Sequence, residues 1–287
     1  MAKLMKFWGI LMLKNSKILY MSEQEIMNLI QQGKISVCVI GLGRIGLPTA
    51  ISFANAGFNT FGIDIDLDLV NKIKTNNFPL KDEPGYEFIF ESIIKEGKLK
   101  VSTDLNDVVS KSDVIVLTLP TPMNNENVPD YSAITTVGKQ LHDLIDEGTV
   151  IIVESTIEPG FIENTLVKIL EGEDNKKIVG KNFGLGVCPE TANPGQIKND
   201  FEKLPRLVGA LDDKTRTIIT KIYNHVFPVE IIEMKDCKTA NAVKLTTNVF
   251  RDLNIAFVNE LAILFEKVGI NISDVLKLIN LDDLKID

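Results

Sequence analysis

A lysine and an asparagine stand one helical turn apart near the end of the chain. Lys244 and Asn248 lie in a segment of helical periodicity, where residues at this spacing share one face. Asn241 lies almost directly above Lys244 on that face. An ammonium group and an amide that project together into a cleft can stabilise a developing alkoxide or carry protons. The residues alone also fit a second interpretation, in which Lys244 is an ordinary solvated lysine.

Three polar strings follow predicted strands. Glu154-Ser155-Thr156 ends one strand, and Thr156 could hold a water or a substrate oxygen, or simply cap the next helix. Cys188-Pro189-Glu190 ends another, and a carboxylate there can orient water or a sugar hydroxyl, although surface loops also carry glutamates without a special role. Pro120-Thr121-Pro122 stiffens a turn, which predicts either a rigid loop or a wall of a nicotinamide or ribose pocket.

A glycine-rich loop points to a dinucleotide. The apolar strand Ile35–Ile40 runs directly into Gly41-Leu42-Gly43-Arg44-Ile45-Gly46, and Asp64 closes a second strand further along the chain. An acid at this position can accept hydrogen bonds from an adenosine ribose. Because no arginine directly follows Asp64 to neutralise a 2′-phosphate, the sequence favours NAD over NADP.

Each residue of the loop has a distinct task in such a site. Gly41 permits a tight turn, Gly43 has no side chain to block a pyrophosphate, and Gly46 lets the next helix pack close to the sheet. Arg44 and Ile45 lie between the glycines, where the free N–H groups of the helix start face the phosphates. We therefore assign these five residues to cofactor binding, together with Asp64, Pro120, Thr121 and Thr156.

Strand and helix patterns alternate from residue 35 to the Val229–Ile232 strand. This order predicts an α/β protein with a doubly wound, mainly parallel Rossmann-like sheet, followed by a long central helix from Lys235 to about Val268. Ligands of such sheets lie beyond the carboxyl ends of the strands, so the polar strings and the glycine loop should share one edge. The predicted organisation is an N-terminal extension with a short helix at 1–34, an NAD-binding domain at 35–234, and the central dimerisation helix with the start of a helical domain at 235–287.

The N-terminal extension has two parts. Residues 1–20 contain the short apolar run Phe7–Leu13 between lysines, without a small-residue cleavage site, and we interpret them as a leader that is either unstructured or not translated, with Met21 as an alternative start. Ser22 and Glu25 then form a capping box, which predicts a helix that ends near Gly33.

The composition excludes several classes of protein. Of 287 residues, 45% are hydrophobic and 24% charged, which is typical of a soluble globular protein. The net charge of −8 argues against nucleic-acid binding. No apolar run is long enough to span a membrane, and the three cysteines, which lack metal-ligand spacing, favour a reducing cytoplasm.

Together these strings resemble the UDP-glucose/GDP-mannose dehydrogenase family, over nearly the whole chain from Ser22. The run Phe250–Leu261 looks most like the branch that acts on UDP-N-acetylmannosamine, and UDP-N-acetylglucosamine dehydrogenases are similar. The resemblance implies oxidation of the C6 alcohol of a UDP-amino-sugar to a uronic acid for surface polysaccharide synthesis, with two NAD reduced. It also implies a homodimer formed through the long helix.

By motif match, the resemblance implies roles for individual residues. Lys244 would stabilise oxyanions with help from Asn248, while Thr156 and Glu190 would support water or substrate. Arg251 matches the branch pattern and would contact the substrate. In the family, a cysteine captures the aldehyde as a thiohemiacetal, and a second hydride transfer gives a thioester that water hydrolyses.

Two departures from the family pattern limit these expectations. Pro194 stands where glucose-type members carry a second glutamate, which supports the amino-sugar branch. The glycine-rich segment with the nucleophilic cysteine would lie beyond Asp287, so the chain is expected to be the cofactor half and inactive alone. None of Cys38, Cys188 and Cys237 is marked as a replacement nucleophile.

Two alternatives remain open. A β-hydroxyacid dehydrogenase also places a lysine and an asparagine one turn apart, but it typically carries glycines before the lysine, and residues 237–243 contain none. The other alternative is a non-catalytic NAD-binding remnant.

Overall fold

The structure, a computed structural model, describes residues 17–173 and 176–277. The interpretation of the leader at 1–16 therefore lies outside the described residues. The chain divides into two compact units, Met1–Ala242 and Val243–Asp287. Within the described ranges, no helix has both the length and the apolar character that a bilayer-spanning segment requires.

One sheet forms the centre of the first unit, with strand order β3-β2-β1-β4-β5-β6-β7-β8. All neighbouring strands pair in parallel except β6 and β7, which are antiparallel. The predicted doubly wound, mainly parallel sheet is therefore confirmed. The strands are β1 (Ser36–Ile40), β2 (Asn59–Ile63), β3 (Leu99–Ser102), β4 (Val114–Leu117), β5 (Thr149–Val153), β6 (Phe183–Val187), β7 (Arg206–Ala210) and β8 (Ile231–Glu233).

The central strands are apolar because helices cover both faces of the sheet. Every residue of β4 and β5 is buried. The register of β1, β4, β5 and β6 aligns their last residues: Ile40 lies beside Leu117, Leu117 beside Val153, and Val153 beside Val187. The four strands thus end level with one another, and the loops that follow them begin at the same edge.

Ten α-helices are present among the described residues. They are α1 (Glu23–Gln31), α2 (Gly46–Asn55), α3 (Leu67–Lys74), α4 (Glu87–Lys95), α5 (Ser132–Leu144), α6 (Val167–Glu171), α7 (Ile197–Lys203), α8 (Asp213–Val226), α9 (Cys237–Lys267) and α10 (Ile272–Leu276).

Two apolar clusters lie on opposite faces of the sheet. One includes residues of α1, α2, α4, α7 and α8, with the rings of Phe53, Tyr223 and Phe227 in mutual contact. The other includes residues of α5 and α6, such as Leu141 and Leu170. The ring of His142 bonds the Leu170 carbonyl, and the exposed ring of His225 packs edge-on against Phe58.

The N-terminal segment is partly different from the prediction. Residues 18–20 form a short 3-10 helix in which Ile18 and Leu19 are 1% and 2% exposed, so the leader interpretation is wrong for this part. Its apolar residues are drawn into the core, and the Leu19 N–H donates to the Gly148 carbonyl at 3.2 Å. The capping box of Ser22 and Glu25 is present as predicted.

The helix after Thr156 opens with an unusual turn. A π-helical turn at Ile162–Leu166 continues directly into α6. Ile162, Leu166 and Leu170 are all fully buried at a spacing of four residues. The wider π turn brings residues at this spacing over one another, which keeps all three on the sheet-facing side.

The long helix α9 has 31 residues and extends from Cys237 to Lys267, close to the predicted limits. Asn271 caps α10, with its side chain accepting from the Ser273 N–H. Beyond Ala242, α9 carries several large apolar side chains that are exposed. Val249, Leu253 and Phe257, for example, are more than half exposed.

Candidate functional site

The glycine loop has the tight geometry expected of a phosphate-binding turn. Gly41 has φ +94°, a conformation that favours glycine. The Thr118 hydroxyl donates to the carbonyl oxygens of Ile40 and Gly41 at 3.0 and 2.7 Å. A Cβ on Gly46 would overlap the Gly41 carbonyl oxygen. The first and third glycines are therefore needed for the packing of the loop itself.

Gly43 differs from the other two glycines, since a Cβ on it would meet no protein atom within 4 Å. It is exposed and lies just before α2, whose first turn receives no hydrogen bond from a side-chain cap at Ile45. Open space beside uncapped N–H groups at a helix start suits an anion. The residues present therefore fit the pyrophosphate of a dinucleotide.

Asp64 faces back toward the glycine loop. One carboxylate oxygen accepts from the Leu42 N–H at 2.6 Å, and the other accepts from the Asp66 N–H at 2.9 Å. Each oxygen retains a further lone pair, which a ribose hydroxyl could use. Ile65 beside it is 95% exposed and offers an apolar surface next to the acid.

Arg44 is engaged with two acids that the sequence analysis did not single out. Its guanidinium lies 2.7 Å from an Asp82 oxygen and 2.8 Å from a Glu83 oxygen. Glu83 is fully buried and also accepts from the N–H groups of Gly195 and Ile197, at 2.7 and 3.3 Å. One buried carboxylate thus joins the cofactor loop to the loop that follows β6.

The loops after β4 and β5 are hydrogen-bonded to each other. The Thr121 hydroxyl donates to the Thr156 carbonyl oxygen at 2.8 Å, and the Ser155 hydroxyl donates to the Leu119 carbonyl at 2.7 Å. Pro120 is exposed and the Thr156 side chain is half-buried. Thr156 does not cap a helix, because the next helical turn begins only at Ile162, so its hydroxyl is available for other contacts.

Glu190 follows β6 at the same edge. It is 8% exposed, and one carboxylate oxygen accepts from the Ala192 N–H at 2.6 Å. Its own N–H donates to the Glu154 carbonyl at 3.3 Å, which ties the end of β6 to the end of β5. The strand order therefore places the glycine loop and the three polar strings at one edge of the sheet, as predicted.

A buried polar network lies behind these loops. The Glu154 carboxylate accepts from the Thr49 hydroxyl at 3.0 Å and the Tyr223 hydroxyl at 2.7 Å, and the Arg206 guanidinium lies 3.5 Å away. Burial raises the pKa of Glu154, against the effect of Arg206 and of the Tyr223 hydrogen bond. The hydrogen bonds of this network hold the Glu154 side chain in place, and so they fix the start of the Glu154-Ser155-Thr156 string.

All three cysteines are fully buried. Burial raises the pKa of the Cys38 and Cys188 thiols to about 12 and also raises that of Cys237. Because the thiolate is the nucleophile, a raised pKa disfavours reaction. This agrees with the expectation that none of the three replaces the family's nucleophilic cysteine.

Lys244, Asn248 and Arg251 lie on α9 in the second unit. Lys244 is 6% exposed, so it is not the ordinary solvated lysine of the second interpretation. Asn248 is half-buried one turn further along, and Arg251 is exposed. Their assignment to substrate remains a prediction.

The sequence analysis missed Asp82, Glu83, Arg206 and Tyr223. The first two lie in a stretch interpreted as a polar loop, and no periodicity distinguishes a buried loop acid from a solvated one. Arg206 directly precedes the apolar run Leu207–Ala210, and a charged residue just before a strand gives no sign of burial.

A doubly wound sheet with a glycine loop, an open cradle and an acid after β2 defines a dinucleotide-binding domain of the dehydrogenase type. Residues 35–227 match the NAD binding domain of the UDP-glucose/GDP-mannose dehydrogenase family, and residues 238–286 match its central domain. The chain belongs to this family of NAD-dependent nucleotide-sugar dehydrogenases.

Named relatives agree with the family assignment. The chain is 34% identical over 248 residues to a UDP-N-acetyl-D-mannosamine dehydrogenase of Methanococcus vannielii, covering 85% of this chain and 54% of that protein. The structure of the Pyrococcus horikoshii UDP-D-ManNAc dehydrogenase matches with TM-score 0.79 and 32% identity, over 86% of this chain and 57% of that one. Cap5O of Staphylococcus aureus, a UDP-N-acetyl-mannosamine dehydrogenase, matches with TM-score 0.75 and 32% identity, over 85% and 58% of the two chains. The chain thus spans about half the length of the curated relatives that it matches.

Proposed function

We propose that this chain is the cofactor half of a cytoplasmic dehydrogenase that oxidises the C6 alcohol of UDP-N-acetylmannosamine to the uronic acid, for surface polysaccharide synthesis. The observation that carries the proposal is that β1, β4, β5 and β6 end level at one sheet edge, where the loop after β1 leaves open space at Gly43. NAD, when bound there, accepts the hydride. The names of the relatives support the amino-sugar substrate, and Pro194 is consistent with it.

The residues of this chain would divide the work between binding and chemistry. The N–H groups of Arg44, Ile45 and Gly46 would bind the pyrophosphate, and Asp64 the adenosine ribose. Pro120, Thr121 and Thr156 would form a wall beside the nicotinamide ribose.

On the substrate side, Glu190 would orient water or a sugar hydroxyl. Lys244 would stabilise the oxyanion that develops at C6, with Asn248 donating a second hydrogen bond and Arg251 contacting the substrate.

Cofactor binding is tested with Gly43→Ala. We expect the wild-type chain to bind NAD by calorimetry, and the added methyl to weaken binding by about tenfold or more, because it fills the space for the pyrophosphate. Thermal unfolding should stay unchanged, since no protein atom lies within 4 Å of the new Cβ. Gly97→Ala is the control: its Cβ also enters open space, and NAD affinity should be retained although its φ of +67° costs some stability. Equal NAD affinity in wild type and Gly43→Ala would contradict the site.

The substrate is tested by binding competition. With NAD present, UDP-N-acetylmannosamine should bind more tightly than UDP-N-acetylglucosamine or UDP-glucose, and Lys244→Ala should weaken it. A preference for UDP-glucose would overturn the amino-sugar assignment.

NAD reduction by 3-hydroxyisobutyrate or 6-phosphogluconate would instead favour the β-hydroxyacid dehydrogenase alternative. Binding of NAD without binding of any UDP-sugar is the result expected of a non-catalytic remnant.

A further inference from the structure

The ion cluster beside the glycine loop contains an excess of negative charge. One guanidinium, that of Arg44, is shared between the carboxylates of Asp82 and Glu83 at 2.7 and 2.8 Å. Arg44 directly follows Gly43, whose open side is the place proposed for the pyrophosphate. The pyrophosphate would therefore approach a group of three charges whose sum is negative, although it is itself an anion.

The two acids are held in different ways. Glu83 is fully buried, and the backbone N–H groups of Gly195 and Ile197 also bond to it, so it belongs to the frame that joins two loops. Asp82 has a side chain that is 63% exposed, and Arg44 is its ion-pair partner. The Arg44 hydrogen bond lowers the pKa of Asp82, which keeps it charged at neutral pH. Asp82 is thus the member of the cluster that can be altered without removing a buried contact.

We propose that Asp82 is a determinant of NAD affinity, because it holds the Arg44 guanidinium and places a negative charge beside the pyrophosphate position. Arg44 paired with Glu83 alone would form a neutral pair with guanidinium N–H groups free for the phosphates, whereas with both acids the group is negative and more of those N–H groups are occupied. The effect concerns ligands that carry the pyrophosphate, and it depends on Arg44. This inference rests on the proposed NAD site, and it identifies Asp82 as a residue that weakens NAD binding there.

The test is the NAD affinity of Asp82→Asn, measured by calorimetry at low and high salt. Exposed ion pairs and single charges near a surface change binding modestly, so we expect about two- to fivefold tighter binding at low ionic strength. The gain should shrink at about 0.5 M salt, because the Debye length there is only a few ångströms and the charges are largely screened from each other. ADP-ribose, which keeps the pyrophosphate, should show the same gain, and adenosine should not.

Two further variants separate this effect from a general change of charge. Asp143→Asn makes the same charge change at an exposed residue near the end of α5. Because α5 ends where β5 begins, Asp143 lies at the opposite edge of the sheet, and its substitution should leave NAD affinity unchanged. In an Arg44→Met background, Asp82→Asn has no guanidinium to release, so the gain that remains there measures the direct repulsion between the Asp82 charge and the pyrophosphate. Unfolding temperatures should show that each variant is folded.

The outcomes distinguish this inference from the proposed function. If the wild-type chain binds no NAD, the proposed site fails. If the wild-type chain binds NAD and Asp82→Asn binds it no more tightly, or Asp143→Asn produces the same gain, only the role of Asp82 is overturned.

Discussion

At the scale of single residues, Arg206 is the most deeply buried cation that the site depends on. It is 3% exposed, and its guanidinium lies over the rings of Phe227 and Phe201, at 3.7 and 4.3 Å from their centroids. Its charge offsets the Glu154 carboxylate at 3.5 Å. Removal of one partner from such a pair leaves an uncompensated charge in the core, which is far more costly than loss of an exposed pair.

Arg206→Met should therefore destabilise the protein by about 3–5 kcal/mol at pH 8, measured by urea unfolding. Burial already raises the pKa of Glu154, and loss of Arg206 should raise it further. A group with a raised folded-state pKa loses its contribution to stability as pH rises through the interval between the unfolded and folded values. The defect should thus shrink as the pH falls from 8 to 5, because protonation of Glu154 removes the uncompensated buried charge.

Arg216→Met is the matched control for this variant. Arg216 forms ion pairs with Asp213 and Glu233 at the surface, so its loss should cost about 1 kcal/mol or less at both pH values. A pH-independent loss in Arg206→Met would show that packing against the rings, rather than the charge of Glu154, accounts for its effect.

The residue scale also shows what the sequence could indicate about the site. Gly41, Gly43, Gly46 and Asp64 were predictable because backbone geometry and ligand chemistry leave few other residues possible there. Glu83 was not, because its burial arises when three loops distant in sequence converge on one carboxylate. The sequence around Glu83 therefore gives no sign that its carboxylate is buried.

At the scale of secondary-structure elements, the N-terminal 3-10 turn contributes to the core of the first unit. Ile18 and Leu19 belong to the same apolar cluster as α2 and α8. This contact joins residues far apart in sequence, and the charged, short segment gave no periodic signal for it. The parallel strands were predictable for the opposite reason, since burial on both faces makes them continuous apolar runs.

Leu19→Ala should destabilise the protein by about 2–5 kcal/mol, because it removes a fully buried side chain and leaves a cavity. Urea unfolding measures the loss. The neighbouring Tyr20 is 48% exposed, and Tyr20→Ala should cost clearly less. Equal stability of wild type and Leu19→Ala would mean that the turn does not pack on the core in solution.

At the scale of the whole molecule, the second unit carries a row of large apolar side chains that are exposed along α9. Val249, Leu253, Phe257 and Leu264 are each more than half exposed along α9. Contiguous apolar surface of this kind marks an interaction site. We propose that a second copy of the chain covers it and that the protein is a homodimer through this helix.

Leu253 and Phe257 lie one turn apart on α9, so glutamates at both positions place two charges on one face of the proposed interface. We expect sedimentation velocity to show a dimer for wild type at micromolar concentration and a monomer for the Leu253→Glu/Phe257→Glu variant, with helix content retained. Asn259→Glu adds a charge at an exposed position about 200° around the helix from Phe257, and should leave the dimer intact. A monomeric wild type, or dissociation by Asn259→Glu as well, would exclude this face as the interface, because only a charge buried between the two copies carries the desolvation cost that drives them apart.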